Sequence, residues 1–165
     1  MRAYTMLLVP AMLTWEVAQL PLYTLWREGG SETIAYAVLH CMLGDALIGV
    51  AALAWALLLA GEDAWPARGF IRVLSATVTV AVAYTIYSEW LNVEIRQSWT
   101  YTDAMPRLPW LGTGLTPLLQ WVVVPPLALL AARQCARTRS TMIETSRHPK
   151  HWKRELHSGA RRREW

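Results

Sequence analysis

Phenylalanine is almost missing from this chain: one Phe stands against ten Trp in 165 residues. That balance points away from an ordinary soluble core and toward a membrane–water interface, where the indole buries its ring and keeps its N–H wet. Cysteine is scarce too. Cys41 falls inside an apolar run and Cys135 just past another, too far apart to bridge, which excludes a disulfide framework. Basic charge is sparse until late: the first 132 residues hold six Lys and Arg against nine Asp and Glu. The pI of 9.4 therefore belongs to the tail and does not describe a nucleic-acid-binding protein. Nucleotide-binding loops, a haem-attachment sequence, a helix-turn-helix and a serine-nucleophile signature are all absent. His148, His151 and His157 are too irregularly spaced for a zinc site, and no H-x-x-x-H or E-x-x-H pattern marks a metal centre. No metal site is expected, and the composition names no cofactor.

What is present is apolar sequence. Hydrophobic residues make up 54% of the chain and the mean hydropathy is +0.21. Four runs are close to the roughly 20 residues that a helix needs to cross a bilayer: about 4–26, 33–60, 70–93 and 115–132. Such runs satisfy their backbone in lipid only as helices. The expected fold is all-α, an integral membrane four-helix bundle over residues 1–134. A basic tail, partly disordered or helical, follows over residues 135–165. Pro10, Pro21 and the Pro125-Pro126 pair are expected to kink or end their spans, and Ser31 or Thr33 to cap the second. A cleaved signal peptide is disfavoured by Glu16 and by the lack of a small-x-small site after the first run.

Orientation follows from basic charge. Residues 133–165 hold ten Lys and Arg and begin directly after the fourth span, so the C-terminus is expected in the cytoplasm. Four spans then return the N-terminus to the same side of the inner (cell) membrane. Arg96 and Arg107, in the 94–113 link assigned outside, run mildly against this.

Four ionisable residues interrupt the spans: Glu16, His40, Asp45 and Glu89. Each costs several kcal/mol in hydrocarbon and persists where it faces a bundle interior, pairs, binds an ion or does chemistry. At 1.5 Å rise per residue, Glu16 lies about 15 Å below the outer edge, His40 about 10 Å, Asp45 about 18 Å, and Glu89 and Gln120 about 9 Å. All fall in the outer half, and the inner half of the second span, 46–60, carries no charge. Helical spacing groups them further. Glu16, Gln19 and Tyr23 form one stripe, Tyr36, His40 and Gly44 another. Tyr84, Ser88 and Asn92 follow on the third span and Thr116 with Gln120 on the fourth. The stripes describe a polar pocket. Glu16, His40, Asp45 and Glu89 are its candidate catalytic groups; Gln19, Tyr23, Tyr36, Tyr84, Asn92 and Gln120 are candidate substrate contacts.

Bland readings compete. Gln19, Tyr36 and Gln120, taken singly, suit interhelical hydrogen bonding. Glu16 and Asp45 suit a structural pair with His40. Glu89 lies near a span end, within reach of Arg96 or the interface. Trp90, Trp99, Tyr101 and Trp110 suit an outer aromatic belt. Residues 87–93 and 99–106 nonetheless carry a density of rare residue types that a plain loop does not need. Carboxyls, an imidazole and tyrosines together suit acid–base chemistry on a lipid-soluble small molecule, a hydrophobic ligand met in the membrane lipid. The alternatives are a non-catalytic subunit or assembly factor, with a membrane-protein partner or as a homo-oligomer, and a small transporter.

Overall fold

The computed structural model describes residues 1–147, whose regular elements are all helices, with no strand among them. Helix α1 runs Arg2–Gln19 and closes in a single 3-10 turn, Leu20–Leu22. A short α2, Leu25–Glu28, precedes the long α3, Ser31–Ala60. Helix α4, Phe70–Trp90, ends in a π-helical turn, Leu91–Ile95. Helix α5 is Leu115–Arg147. The chain divides after Ala132 into two compact units. The bundle is the first of these; the described part of the second, 133–147, is helical.

Four stretches are long and apolar enough to cross a membrane: Arg2–Leu22, Ser31–Ala60, Phe70–Ile95 and Leu115–Thr138. They match the four expected spans, with differences at the ends. The first stops at Leu22 rather than Trp26, because Pro21 has no N–H to return to Val17 and Tyr23 is extended. Gly30 caps α3 and no side chain helps it, so neither Ser31 nor Thr33 plays that role. Pro10 and the Pro125-Pro126 pair lie within continuous helices. Packing of Trp121, Val124 and Ala128 in the core offsets the backbone bonds that the paired prolines cannot make. His148, His151 and His157 lie outside the described residues.

The bundle's outward surface is apolar. Leu39, Leu43, Leu47 and Leu58 recur along one side of α3, each more than half exposed. A soluble domain would hide such a stripe; a membrane would cover it.

Inside, the bundle is two different materials. Toward the α3–α4 turn it is an apolar core, with Tyr4, Leu8 and Met12 of α1 set one turn apart against Ala52, Leu53 and Ala56 of α3. Val73 of α4 and Trp121, Val124 and Ala128 of α5 complete it. Of the few polar groups there, Thr77 donates to the Val73 carbonyl at 2.7 Å and Tyr4 to the Gly49 carbonyl of α3 at 3.3 Å, while Trp65 Nε1 is buried without a partner. Toward the opposite end the inward side chains are Glu16, Gln19, Thr85, Glu89 and Gln120.

That opposite end is capped. The link after α4 folds back onto the break between α1 and α2, pairing Tyr23 with Tyr101 in antiparallel fashion. Thr24 N–H donates to the Thr100 carbonyl at 3.0 Å and Thr102 N–H to the Leu22 carbonyl at 2.9 Å. The Thr24 and Thr100 hydroxyls meet at 2.8 Å. The chain reverses into the link at Gln97, whose φ of 52° is unusual for a residue with a Cβ.

Two glycines of α3 should respond oppositely to added bulk. A Cβ at Gly49 would lie 2.6 Å from Leu8 Cδ2, whereas one at Gly44 would meet nothing within 4 Å. Gly49→Val should lower thermal stability in detergent by about 1–3 kcal/mol through overpacking. Gly44→Ala should be neutral or mildly stabilising, since Ala is the better helix former. Equal losses at both positions would contradict this α1–α3 packing.

Candidate functional site

The capped half of the bundle encloses a cavity of about 330 Å³. Its acids are built in pairs with the groups that hold them. On α1, Glu16 and Gln19 share a face, and Gln19 Nε2 donates to Glu16 Oε1 at 2.9 Å. Both are buried. From α3 comes Asp45, half-buried, whose Oδ2 accepts from Gln120 Nε2 of α5 at 2.7 Å. The same amide nitrogen rests on Met12 Sδ at 2.9 Å. The Glu16 and Asp45 carboxyls are near neighbours on the cavity wall.

Glu89, from α4, forms the second centre. It is buried, and its Oε2 accepts the hydroxyl of Tyr101. That hydroxyl in turn accepts the Gly114 N–H at 3.1 Å. Tyr101 is wedged further by the tilted ring of Tyr23, centroids 5.5 Å apart, and by the Arg107 guanidinium 5.1 Å over its face. The π-helical turn Leu91–Ile95 lies directly beyond, a geometry that recurs at functional sites. Two polar atoms beside the cavity are buried without a partner, Gln19 Oε1 and Trp99 Nε1. The indole N–H of Trp99 comes near Glu89 but makes no hydrogen bond to it. Among the described residues, no three His, Cys, Asp or Glu side chains come together as a metal-binding set.

Nine of the ten candidate side chains line this one cavity: Glu16, Gln19, Tyr23, His40, Asp45, Tyr84, Glu89, Asn92 and Gln120. Tyr36 does not line it. It is 69% exposed on the outer side of α3, where its ring stacks on His40, centroids 5.7 Å apart. One helical turn separates the two, so the stripe that joins them curves from the cavity onto the outer surface. His40 itself is exposed at the cavity rim, and no hydrogen bond ties it to Glu16 or Asp45. The expected structural pair with His40 is replaced by the amides of Gln19 and Gln120. Gln120 thus holds an acid in place, the interhelical role weighed for it. Asn92 bonds the Ser88 carbonyl at 2.9 Å while its carbonyl takes the Ser98 hydroxyl at 3.4 Å.

The link corrects two expectations. Glu89 does not sit at the interface paired with Arg96; it is buried and held by Tyr101. Tyr101 and Trp99 do not stand in an outer belt, although Trp90 and Trp110 are exposed. Tyr101, Trp99 and Arg96 are the site residues that periodicity misses, because they follow the end of the helix. The compositional density of 99–106 was their available signal.

The Glu89–Tyr101 contact makes two predictions. Tyr101→Phe strips a buried carboxyl of its donor and should cost about 1–3 kcal/mol. Glu89→Gln and Tyr101→Phe should combine less than additively in a double-mutant cycle read by thermal unfolding; simple additivity would mean the contact carries no energy. Burial, then the nearby Glu89 carboxylate, pushes the Tyr101 phenol above its usual range. An unfolded phenol ionises near about pH 10, so the native contribution is intact below that pH and lost as pH rises past it. Tyr101→Phe protein should therefore lose stability less steeply above about pH 10. A comparison with known proteins leaves the chain to be read from this geometry alone, since no family model, curated protein or solved structure matches it.

Proposed function

We propose that this is a multi-pass membrane protein whose capped half takes a lipid-soluble small molecule and moves protons on it by acid–base chemistry. The single observation that carries the reading is the adjoining Glu16 and Asp45 carboxyls on the wall of a cavity, each held by its own amide. Structural pairing alone calls for a packed contact with no space beside it. Here about 330 Å³ lies beside it, with apolar walls such as Leu20 and Ile48 and a third acid, Glu89, also lining the space.

The chemistry that suits this arrangement is isomerisation of an unsaturated chain. One carboxyl delivers a proton to a carbon at one end of a double bond. A carboxylate removes a proton from the saturated carbon next to its other end, where the new double bond forms. One proton enters and one leaves, so no oxidant, reductant or co-substrate is needed. An amide donating to each carboxyl fixes which oxygen faces the substrate. Tyr101 holds Glu89 in the same sense and is a positioning residue in this scheme.

In the inner membrane, the positive-inside rule sets both termini in the cytoplasm and the capped half in the outer leaflet. A transport path is less well supported. The other half of the bundle is packed apolar core, and its buried Thr77 is bonded to its own helix.

Proton transfer to carbon can be read without knowing the substrate. Membranes carrying the wild-type protein, incubated in D2O, should yield a lipid-extract species with deuterium on carbon. Glu16→Gln or Asp45→Asn membranes, with equal protein levels, should lose that label by roughly a hundredfold or more, the usual scale for a removed acid–base group. Variants that fail to accumulate would assign the carboxyls to structure, and equal labelling in all three would end the acid–base reading.

A further inference from the structure

The cavity's walls differ in exposure, and the difference locates its mouth. Every lining residue from α1 and α5 is buried, Glu16, Gln19, Gln120 and Trp121 among them. The exposed lining residues are four: His40 and Gly44 of α3, Tyr84 of α4, and Arg96 just past the π-helical turn. All four lie along the seam between α3 and α4. The end of the bundle is roofed by the link, which is tied to residues 22–24 by backbone hydrogen bonds. The cavity therefore opens sideways, through the bundle's apolar outer surface. From Tyr84 to Arg96 the opening extends about 18 Å along the helix axis at 1.5 Å per residue. An elongated slot parallel to the helices matches an extended chain standing among lipid chains.

The slot has one polar end. Arg96 lines it there and, among the described residues, has no carboxylate partner. Three residues on, Trp99 also lines the cavity, and its Nε1–H is buried without an acceptor. A cation at this open end is a receptor for an oxyanion. Glu89 is buried, engaged by Tyr101, and has the Trp99 N–H near it.

We propose that the cavity is loaded sideways from the bilayer, through the α3–α4 slot, by a single-chain amphiphile whose phosphate or carboxylate head group rests on Arg96. This builds on the reading of the cavity as the site of a lipid-soluble substrate, and adds its route and the chemistry of its head. The chain passes Gly44, where the missing side chain leaves the slot open; a Cβ there meets no atom within 4 Å. Bulk at Gly44 thus fills the opening without displacing the packing of the helices.

The test uses the full-length protein in neutral phosphatidylcholine nanodiscs, with diazirine-bearing palmitate, farnesyl phosphate and farnesol, and peptide mapping of the crosslinks. At least one anionic probe should label cavity residues about tenfold more than farnesol, the worth of one charge-assisted contact. The stronger of the two identifies the head as carboxylate or phosphate. Arg96→Glu should bring the anionic probes down to the farnesol level. Gly44→Trp should abolish cavity labelling by all three, while Gly44→Ala labels like wild type. Undiminished labelling in Gly44→Trp would overturn the route. Farnesol labelling equal to the anions, or indifference to Arg96→Glu, would overturn the head-group site. Wild-type protein that labels as described yet moves no deuterium would end the acid–base reading and leave the loading route standing. Wild-type protein labelled by no probe within the cavity would overturn the loading proposal even if deuterium transfer is seen.

Discussion

A carboxyl group in an apolar bundle must find a proton, a donor or a partner, and the capped half of this protein is organised around meeting that requirement three times. Glu16 has Gln19, Asp45 has Gln120, and Glu89 has Tyr101. The last two each draw on another piece of chain. The α5 helix is drawn to α3 by an amide, and the link is drawn under the bundle's end by a phenol. Remove the acids, and nothing in the apolar sequence would specify which face of α4 or α5 turns inward. Polar groups of this kind set register and orientation where apolar contacts alone leave several packings nearly equal.

The division into a dry half and a polar half follows from the same physics. Small residues on α3, Ala52 and Ala56, let α1 and α5 approach closely, and large ones, Leu8, Met12 and Trp121, fill what remains. Near Gly44 and Asp45 that close packing gives way to the cavity. The unpartnered Gln19 Oε1 and Trp99 Nε1 mark it as a space whose polar walls are incompletely satisfied by the protein itself.

Much of this was legible in the chain. Length and apolarity gave the four helices, because the bilayer's thickness and the backbone's need for internal hydrogen bonds leave few other solutions. Depth and helical spacing gathered Glu16, Gln19, Asp45, Glu89 and Gln120 toward one place, because side-chain direction in a helix is fixed by sequence position. Spacing failed at Tyr36 for a reason of angle. Steps of four residues advance 400°, so a stripe drifts around the helix, and Tyr36 at its far end points outward while Gly44 lines the cavity. It failed more fully in the link, where no period operates. Tyr101 reaches Glu89 because Gln97 reverses the chain and two short backbone bonds pin it to residues 22–24. Such contacts between distant, aperiodic segments have no local signature beyond an unusual choice of residues.

The separation of Asp45 from Gln120 along the chain has a bearing on how the protein comes into being. Seventy-five residues lie between the acid and the amide that holds it. A ribosome makes them in order, so α1 and α3 are complete well before α5 exists. During that interval Glu16 already has Gln19 on its own helix, whereas Asp45 has yet to meet Gln120. Of the two acids, only the one on α3 depends on chain that is still to be made. The last helix of the bundle to be made thus carries the donor that completes an acid made seventy-five residues earlier.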